Sequence, residues 1–285
     1  MNSLTLHSPA KINLRLEILG KRNDGYHEIR TIIQKISFYD DVTLKVSTQK
    51  GIKVKVDNPA IPADNKNLAY KAAFLLMEDQ KISAGVSIHI KKKIPAGAGL
   101  GGGSSNAATT LQGLNRIFKL NLKDKYLQQF SMSLGADVPF FLSGSGTALA
   151  TGIGEKLKPL KLQKKLWFLL ILPDFSISTS WAYNTYSRYN ILTKRKKNIK
   201  IKNSIRTFDG VVSLLLNDFE SIVIPLYPEI KTIKNNLIRA GAAGSLLSGS
   251  GSSVFGVFSN KEDTKKALTK LPYQAVHKAL IVHSL

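Results

Sequence analysis

The stretch that decides the reading is Ile94-Pro95-Ala96-Gly97-Ala98-Gly99-Leu100-Gly101-Gly102-Gly103-Ser104-Ser105-Asn106. Five of its residues are glycine. On its N-terminal side Val86, Ile88 and Ile90 alternate with Ser87, His89 and Lys91, the period of a half-buried strand. On its C-terminal side Ala107, Ala108, Leu111, Leu114, Ile117 and Phe118 recur near a 3.6 period, which predicts a helix opening at Ser104 or Ser105 as N-cap. Strand, glycine loop and helix start form a device for anions. Glycine lets the backbone approach a ligand, and the first N–H groups of the helix point at negative charge. A phosphate is its natural occupant. The plain alternative, a flexible linker, fits poorly between a strand and a capped helix.

Two familiar phosphate loops do not match. A Walker A loop ends in Gly-Lys-Ser/Thr, whereas Gly103 runs directly into Ser104. Gly97 to Gly102 satisfies G-x-G-x-x-G by letters, but the acidic residue expected about 20 positions on has only Asp124 as candidate. Asp124 lies between two helical patterns instead of closing a strand.

Composition narrows the class. The 285 residues are 43 % hydrophobic, enough for one large or two modest domains. No apolar run has transmembrane length and the N-terminus lacks a signal peptide's apolar core. With no cysteine, disulfides and thiolate metal sites are excluded and a cytoplasmic location is expected. The formal charge is +22. Residues 188–206 hold eight basic side chains and no acidic one, yet no aromatics alternate with them as a base-stacking surface would require. The excess is read first as a solvated loop and biased composition, then as an aid in attracting polyphosphate substrates. Binding of a polymeric anion is the remaining reading.

The rest of the chain reads as α+β. Strands are expected at Leu4–Leu6, at Ile12–Ile18 with Lys11 and Asn13 on the face opposite the apolar one, and near 29–38, 42–48 and 52–56. Helices are expected over 67–79 and 123–134. After a Gly-rich stretch near 143–154, Leu166–Leu172 predicts a buried strand. Helices follow near 210–219, 228–240 and 261–271, with a last strand near 274–284. This order suggests two α+β domains meeting at a cleft, divided as 1–160 and 161–285.

Several residues stand out as chemistry. Asp137, in Leu134-Gly135-Ala136-Asp137-Val138-Pro139, is a carboxylate in apolar surroundings: either a site group or the N-cap of a helix starting at Val138. Lys11 is either solvated or functional. Tyr26-His27, after the Asp24-Gly25 turn, is either exposed or a platform for a base. Ser248-Gly249-Ser250-Gly251-Ser252-Ser253 is either a tight strand-to-strand turn or a second border to phosphates.

Taken together, these segments resemble the GHMP small-molecule kinases. Pro9-Ala10-Lys11-Ile12-Asn13-Leu14, Pro95 to Ser105, and Leu247 to Ser252 are similar to the three motifs of that superfamily, in order. The superfamily fold is a ribosomal-S5-domain-2-like N-terminal domain followed by a ferredoxin-like C-terminal one. Gly20 to Glu28, the extra-glycine loop Gly101 to Ala108, and Leu134 to Phe141 with Gly152-Ile153-Gly154-Glu155 resemble the branch acting on a cytidine-diphosphate polyol. The resemblance implies ATP-dependent phosphorylation of the C2 hydroxyl of cytidylylated methylerythritol, a step of non-mevalonate isoprenoid synthesis. It implies Asp137 as general base with Lys11 as electrostatic partner. Pro95, Ala96, Gly97, Ala98, Gly99, Leu100, Gly101, Gly102, Gly103, Ser104 and Ser105 would cradle ATP. Tyr26 and His27 would bind the cytidine end, with Asn13 and Lys92 lining the same cleft. Mg2+ is expected, with Ser104 or Ser105 as possible ligand and no acidic partner evident. The expected partners are small molecules, not nucleic acid or membrane, for a monomer or homodimer. The competing readings are another GHMP kinase (homoserine, mevalonate or sugar) and a basic RNA-binding protein.

Overall fold

A computed structural model describes residues 2–189, 201–272 and 278–285. The chain forms two compact units that interleave along the sequence: Met1–Ala10, Phe38–Ala96 and Gly101–Gly144 in one, Lys11–Ser37, Gly97–Leu100 and Ser145–Leu285 in the other. No single cut such as 160/161 separates them. Two long strands, β1 (Ser3–Lys21) and β2 (His27–Ser47), contribute to both. They replace the shorter strands expected at 4–6, 12–18, 29–38 and 42–48. Neither Pro9 nor the polar Asp40-Asp41 pair interrupts pairing.

In the first unit β3 (Ile52–Val56) runs parallel to β4 (Gly85–Lys91), which lies antiparallel to the second half of β2. β3 is an edge strand with Lys53 and Lys55 exposed. Helix α1 (Leu68–Asp79) is capped by Asn67, whose side chain accepts from Ala69 N. It buries Ala69, Ala72 and Leu76 and packs against α2 (Gly102–Ile117). α2 comes close to the strands because Gly113 has no side chain: a Cβ there would lie 2.4 Å from Leu44. The helix expected over 123–134 is broken into α3 (Asp124–Leu127), a 3-10 turn and α4 (Ser131–Leu134), ending at Gly135 with φ +144°. α5 (Val138–Leu142) buries Phe140 and Phe141 and packs on α2.

In the second unit the first half of β2 pairs antiparallel with β5 (Thr147–Gly152), and β5 with β6 (Lys156–Leu160). The apolar run at 166–172 becomes β7 (Trp167–Ile171), an inner strand of a sheet ordered β11-β7-β10-β9. After α6 (Thr179–Arg188), residues 190–200, which hold most of the basic run, lie outside the described residues. α7 (Ile201–Ser204) and α8 (Phe208–Leu214) follow. α8 ends earlier than the expected 219 because Leu215 turns extended to enter β8 (Leu216–Asn217), parallel to β1. α9 (Glu220–Leu226), α10 (Pro228–Arg239), β9 (Gly244–Leu247), β10 (Val254–Phe258), α11 (Lys261–Lys270) and β11 (Ala279–His283) complete the unit. Its core joins Leu169 and Ile171 of β7 to Ile230, Ile233 and Leu237 of α10. Among the described residues no helix is long and apolar enough to cross a membrane.

The polar row of β1 is not solvated, as its alternation suggested. Lys11, Asn13, Arg15 and Glu17 are 6, 2, 5 and 3 % exposed. They are buried because they satisfy one another. Lys11 Nζ donates to Asn13 Oδ1 at 2.8 Å, Asn13 Nδ2 to Thr31 Oγ1 at 2.8 Å, and Thr31 Oγ1 to the Arg15 carbonyl at 2.6 Å. Arg15 and Arg30 each grip Glu17 through two bonds. Burial alone would raise the Glu17 carboxyl, but hydrogen bonds and charge from the two arginines outweigh it and hold it at about 2. A depressed carboxyl stabilises the fold above its ordinary value of 4.5, and that contribution disappears as pH falls toward 2. We expect Glu17→Gln to melt well below wild type at neutral pH and the gap to narrow through this window. A gap that stays constant on acidification would refute the assignment.

Candidate active site

In the second unit, Lys11, Asn13 and the segment Gly97–Leu100 meet the turn between β9 and β10. Each carbonyl of Gly97–Leu100 accepts a hydrogen bond inside the unit. Ile177 N donates to Gly97 O (3.1 Å), Ser253 N to Ala98 O (3.3 Å), Ser248 Oγ to Gly99 O (3.0 Å) and Lys11 N to Leu100 O (2.9 Å). The carbonyl dipoles are thereby turned into the protein, which removes their repulsion from an anion on the loop's other side. Gly97 and Gly99 have φ +64° and +73°, and a Cβ on Gly99 would lie 2.0 Å from Ser248 O. Asn13 Oδ1 lies 3.4 Å from where a Cβ of Gly249 would stand, and Asn217 Nδ2 donates to the carbonyls of Leu247 and Gly249. The second glycine segment is therefore both a hairpin turn, closed by Ser248 N to Ser253 O at 2.9 Å, and a wall against the first.

The first unit holds Gly101–Ser105 and Asp137. The N-cap of α2 is Gly101, at φ +68° and with no side-chain cap, so Ser104 and Ser105 lie within the first turn and are not the cap. An uncapped first turn suits an outside acceptor for its N–H groups. Ser105 is fully buried and receives a hydrogen bond from Ser8 Oγ at 2.8 Å, while Ser104 is half-buried. Gly135 passes close to this turn: a Cβ on it would stand 3.7 Å from Ser104 Oγ. That brings the Asp137 loop alongside the helix start. Asp137 occupies the N-cap position of α5 but makes no capping hydrogen bond, so capping does not account for it.

Lys92 sits in the same unit, under Gly102 of α2, where a Cβ would come within 2.8 Å of its Nζ. Its ammonium pairs with Asp40, and burial pushes it below the usual lysine range against the pull of Asp40 and Asp57. Asp40 is fully buried and was not singled out from the sequence. A signal was present, since alternation puts it in phase with inward Ile36, Phe38, Val42 and Leu44.

Tyr26 and His27 close the turn after β1. Tyr26 is 60 % exposed. His27 is buried and stacks on Tyr183 of α6, with centroids 4.9 Å apart and planes at 25°. Burial and the charge of Lys21 push its pKa down. Ser187 Oγ donates to the Tyr183 carbonyl and so accepts from His27 Nε2 at 2.7 Å, which leaves Nδ1 as the lone-pair nitrogen. Among the described residues no group of three His, Cys, Asp or Glu is arranged to hold a metal ion.

The family models "GHMP kinases N terminal domain" and "GHMP kinases C terminal" match residues 67–145 and 201–277. The chain is 42 % identical over 267 residues to 4-diphosphocytidyl-2-C-methyl-D-erythritol kinase of Geobacter metallireducens, covering 94 % of this chain and 93 % of that one. The chain belongs to the GHMP kinases, in the 4-diphosphocytidyl-2-C-methyl-D-erythritol kinase family. The kinase is also 45 % identical over 272 residues to the enzyme so named from Thermodesulfovibrio yellowstonii, covering 93 % of each. A crystal structure of a 4-(cytidine 5'-diphospho)-2C-methyl-D-erythritol kinase superposes with a TM-score of 0.83 at 31 % identity, covering 99 % of both chains. A homoserine kinase from Cytophaga hutchinsonii, with a TM-score of 0.76 and 21 % identity, shares the fold.

Proposed function

We propose that this GHMP kinase transfers the γ-phosphoryl group of ATP to the C2 hydroxyl of 4-diphosphocytidyl-2-C-methyl-D-erythritol, giving the 2-phosphate and ADP, in the cytoplasm. The observation that carries the choice of acceptor is the His27–Tyr183 platform. Its lone-pair Nδ1 can accept from the exocyclic amine of a cytosine, and exposed Tyr26 supplies an aromatic face beside it in sequence. Homoserine or mevalonate offers no ring for either.

Pro95–Ser105 is assigned as the cradle for the ATP phosphates, on the strength of its inward-turned carbonyls and the uncapped start of α2. Asp137 is assigned as general base. Its carboxylate takes the proton of the tertiary hydroxyl, the oxygen attacks the γ-phosphorus, and ADP leaves. Lys11 is assigned as its electrostatic partner, which offsets charge developing on the transferred group. Asn13 holds the Lys11 ammonium in place. Mg2+ would be held mainly by the phosphate oxygens. Ser104 is its one suitable protein ligand of the serine pair, because the Ser105 hydroxyl is buried against Ser8. When bound, the ion neutralises charge across the phosphates.

The test is coupled ATP turnover against a panel of alcohols with CMP as competitor. We expect turnover with the cytidylylated polyol and competitive inhibition by CMP against it. Turnover of homoserine or mevalonate that CMP leaves untouched would overturn the assignment of the acceptor.

A further inference from the structure

The fully buried Asp40 carboxylate joins three pieces of the first unit. Its Oδ1 accepts from Lys93 N at 2.7 Å and Ile94 N at 2.8 Å, immediately upstream of the glycine run. Its Oδ2 accepts from Asn106 Nδ2 at 2.9 Å, in the helix immediately downstream, and from Lys92 Nζ. The second proton of Asn106 Nδ2 goes to Ser8 Oγ at 3.0 Å, and Ser8 donates in turn to Ser105. One residue of β2 thus holds both feet of the loop.

The glycines between those feet have little conformational preference of their own. An unrestrained loop of this composition would have to be ordered at the moment of binding, and that cost would appear as lost affinity. The carboxylate fixes the spacing in advance. It also holds the Lys92 ammonium against Gly102, where glycine alone leaves room for it. An unpaired buried ammonium there would be costly, so the clamp and the ion pair stand together.

We propose that Asp40 is a positioning residue for the phosphate loop, whose bonds to Lys93–Ile94 and Asn106 preset the loop and so determine affinity for the nucleotide's phosphates. The proposal rests on the assignment of Pro95–Ser105 as the ATP cradle. It concerns neither the acceptor nor the chemical step.

The decisive experiment is an exchange of donor and acceptor across the Asp40–Asn106 bond. AMP-PNP with Mg2+ is titrated calorimetrically into the full-length protein with no acceptor present, alongside CMP as a reference ligand and a thermal melt of each variant. In Asp40→Asn the amide faces the Asn106 amide and Lys92 donor to donor. We expect AMP-PNP to bind about 10-fold more weakly or worse, with CMP binding unchanged. The double variant Asp40→Asn/Asn106→Asp restores the bond between positions 40 and 106 with its direction reversed, though not the ion pair to Lys92, and is expected to regain part of that affinity. Should Asp40→Asn fail to fold, Asn106→Ala removes a single donor from the clamp and is expected to weaken AMP-PNP by a smaller factor, again sparing CMP. Lower melting temperatures with unchanged AMP-PNP affinity would reduce Asp40 to a structural residue and overturn the proposal. Failure of the double variant to recover would do the same. Because the titration omits the acceptor, a wild type that binds AMP-PNP but ignores the cytidylylated polyol would refute the acceptor assignment and leave this inference standing.

Discussion

Asp137→Asn should lower kcat by at least about 10²-fold, within the range of about 10²–10⁴ that a positioned base contributes, and leave the KM for ATP nearly unchanged. The acceptor is a tertiary alcohol and a poor nucleophile until its proton is taken. The amide keeps the shape of the carboxylate but cannot accept that proton. Asp137 forms no cap on α5, so the substitution removes no capping bond from the helix. A thermal melt of the variant accompanies the assay, so that lost turnover is read on folded enzyme. Steady-state kinetics with each substrate varied in turn provide the check, and a variant that keeps most of its turnover would remove Asp137 from the role of base.

Gly99→Ala should be the most damaging single methyl in the loop. The residue has φ +73°, a conformation that costs an alanine roughly 1–2 kcal/mol. Its Cβ would also stand 2.0 Å from the Ser248 carbonyl oxygen and 3.2 Å from Gly251 N, both backbone atoms without a rotamer to yield. Relieving such a collision typically costs a further 1–3 kcal/mol or so. The shift would also disturb the Ser248 Oγ bond to the Gly99 carbonyl. We expect a melting temperature lower by several degrees and a KM for ATP raised by about 10-fold or more. Gly241→Ala separates the two causes, since Gly241 has φ +110° with nothing within 4 Å of a Cβ. It should lose stability from strain alone and keep its KM. Equal effects of the two variants on KM would contradict a phosphate-binding role for the Gly99 contact.

The parts of this molecule that could be read from sequence are those whose chemistry is local. A glycine run between an alternating strand and an amphipathic helix carries its geometry within a dozen residues. The apolar run that becomes β7 needs no distant partner to be recognised. The helix expected over 67–79 is equally local, and it forms as α1 with Asn67 as its cap. What escaped reading depends on remote partners. Asp40 falls in the gap between the strands expected near 29–38 and 42–48, because the groups that make it tolerable inside lie 52 to 66 positions away. The same misreading split β2 in two. Lys11, Asn13, Arg15 and Glu17 alternate as a solvated face would, and only Thr31 and Arg30 on the neighbouring strand reveal a buried row. The helix start was displaced by a few residues because serine is the usual cap, whereas here the left-handed Gly101 takes that place.

The charge excess has one reading tied to a particular strand. Among the described residues β3 ends its sheet with no strand on its outer side, the kind of border on which a second chain can add a strand and begin aggregation. Lys53 and Lys55 project from that border, with Lys50 just before it. Two approaching copies would have to bring these ammonium groups together and strip them of water. Exposed lysines at such a border disfavour edge-to-edge strand pairing, so this part of the +22 protects the end of one sheet.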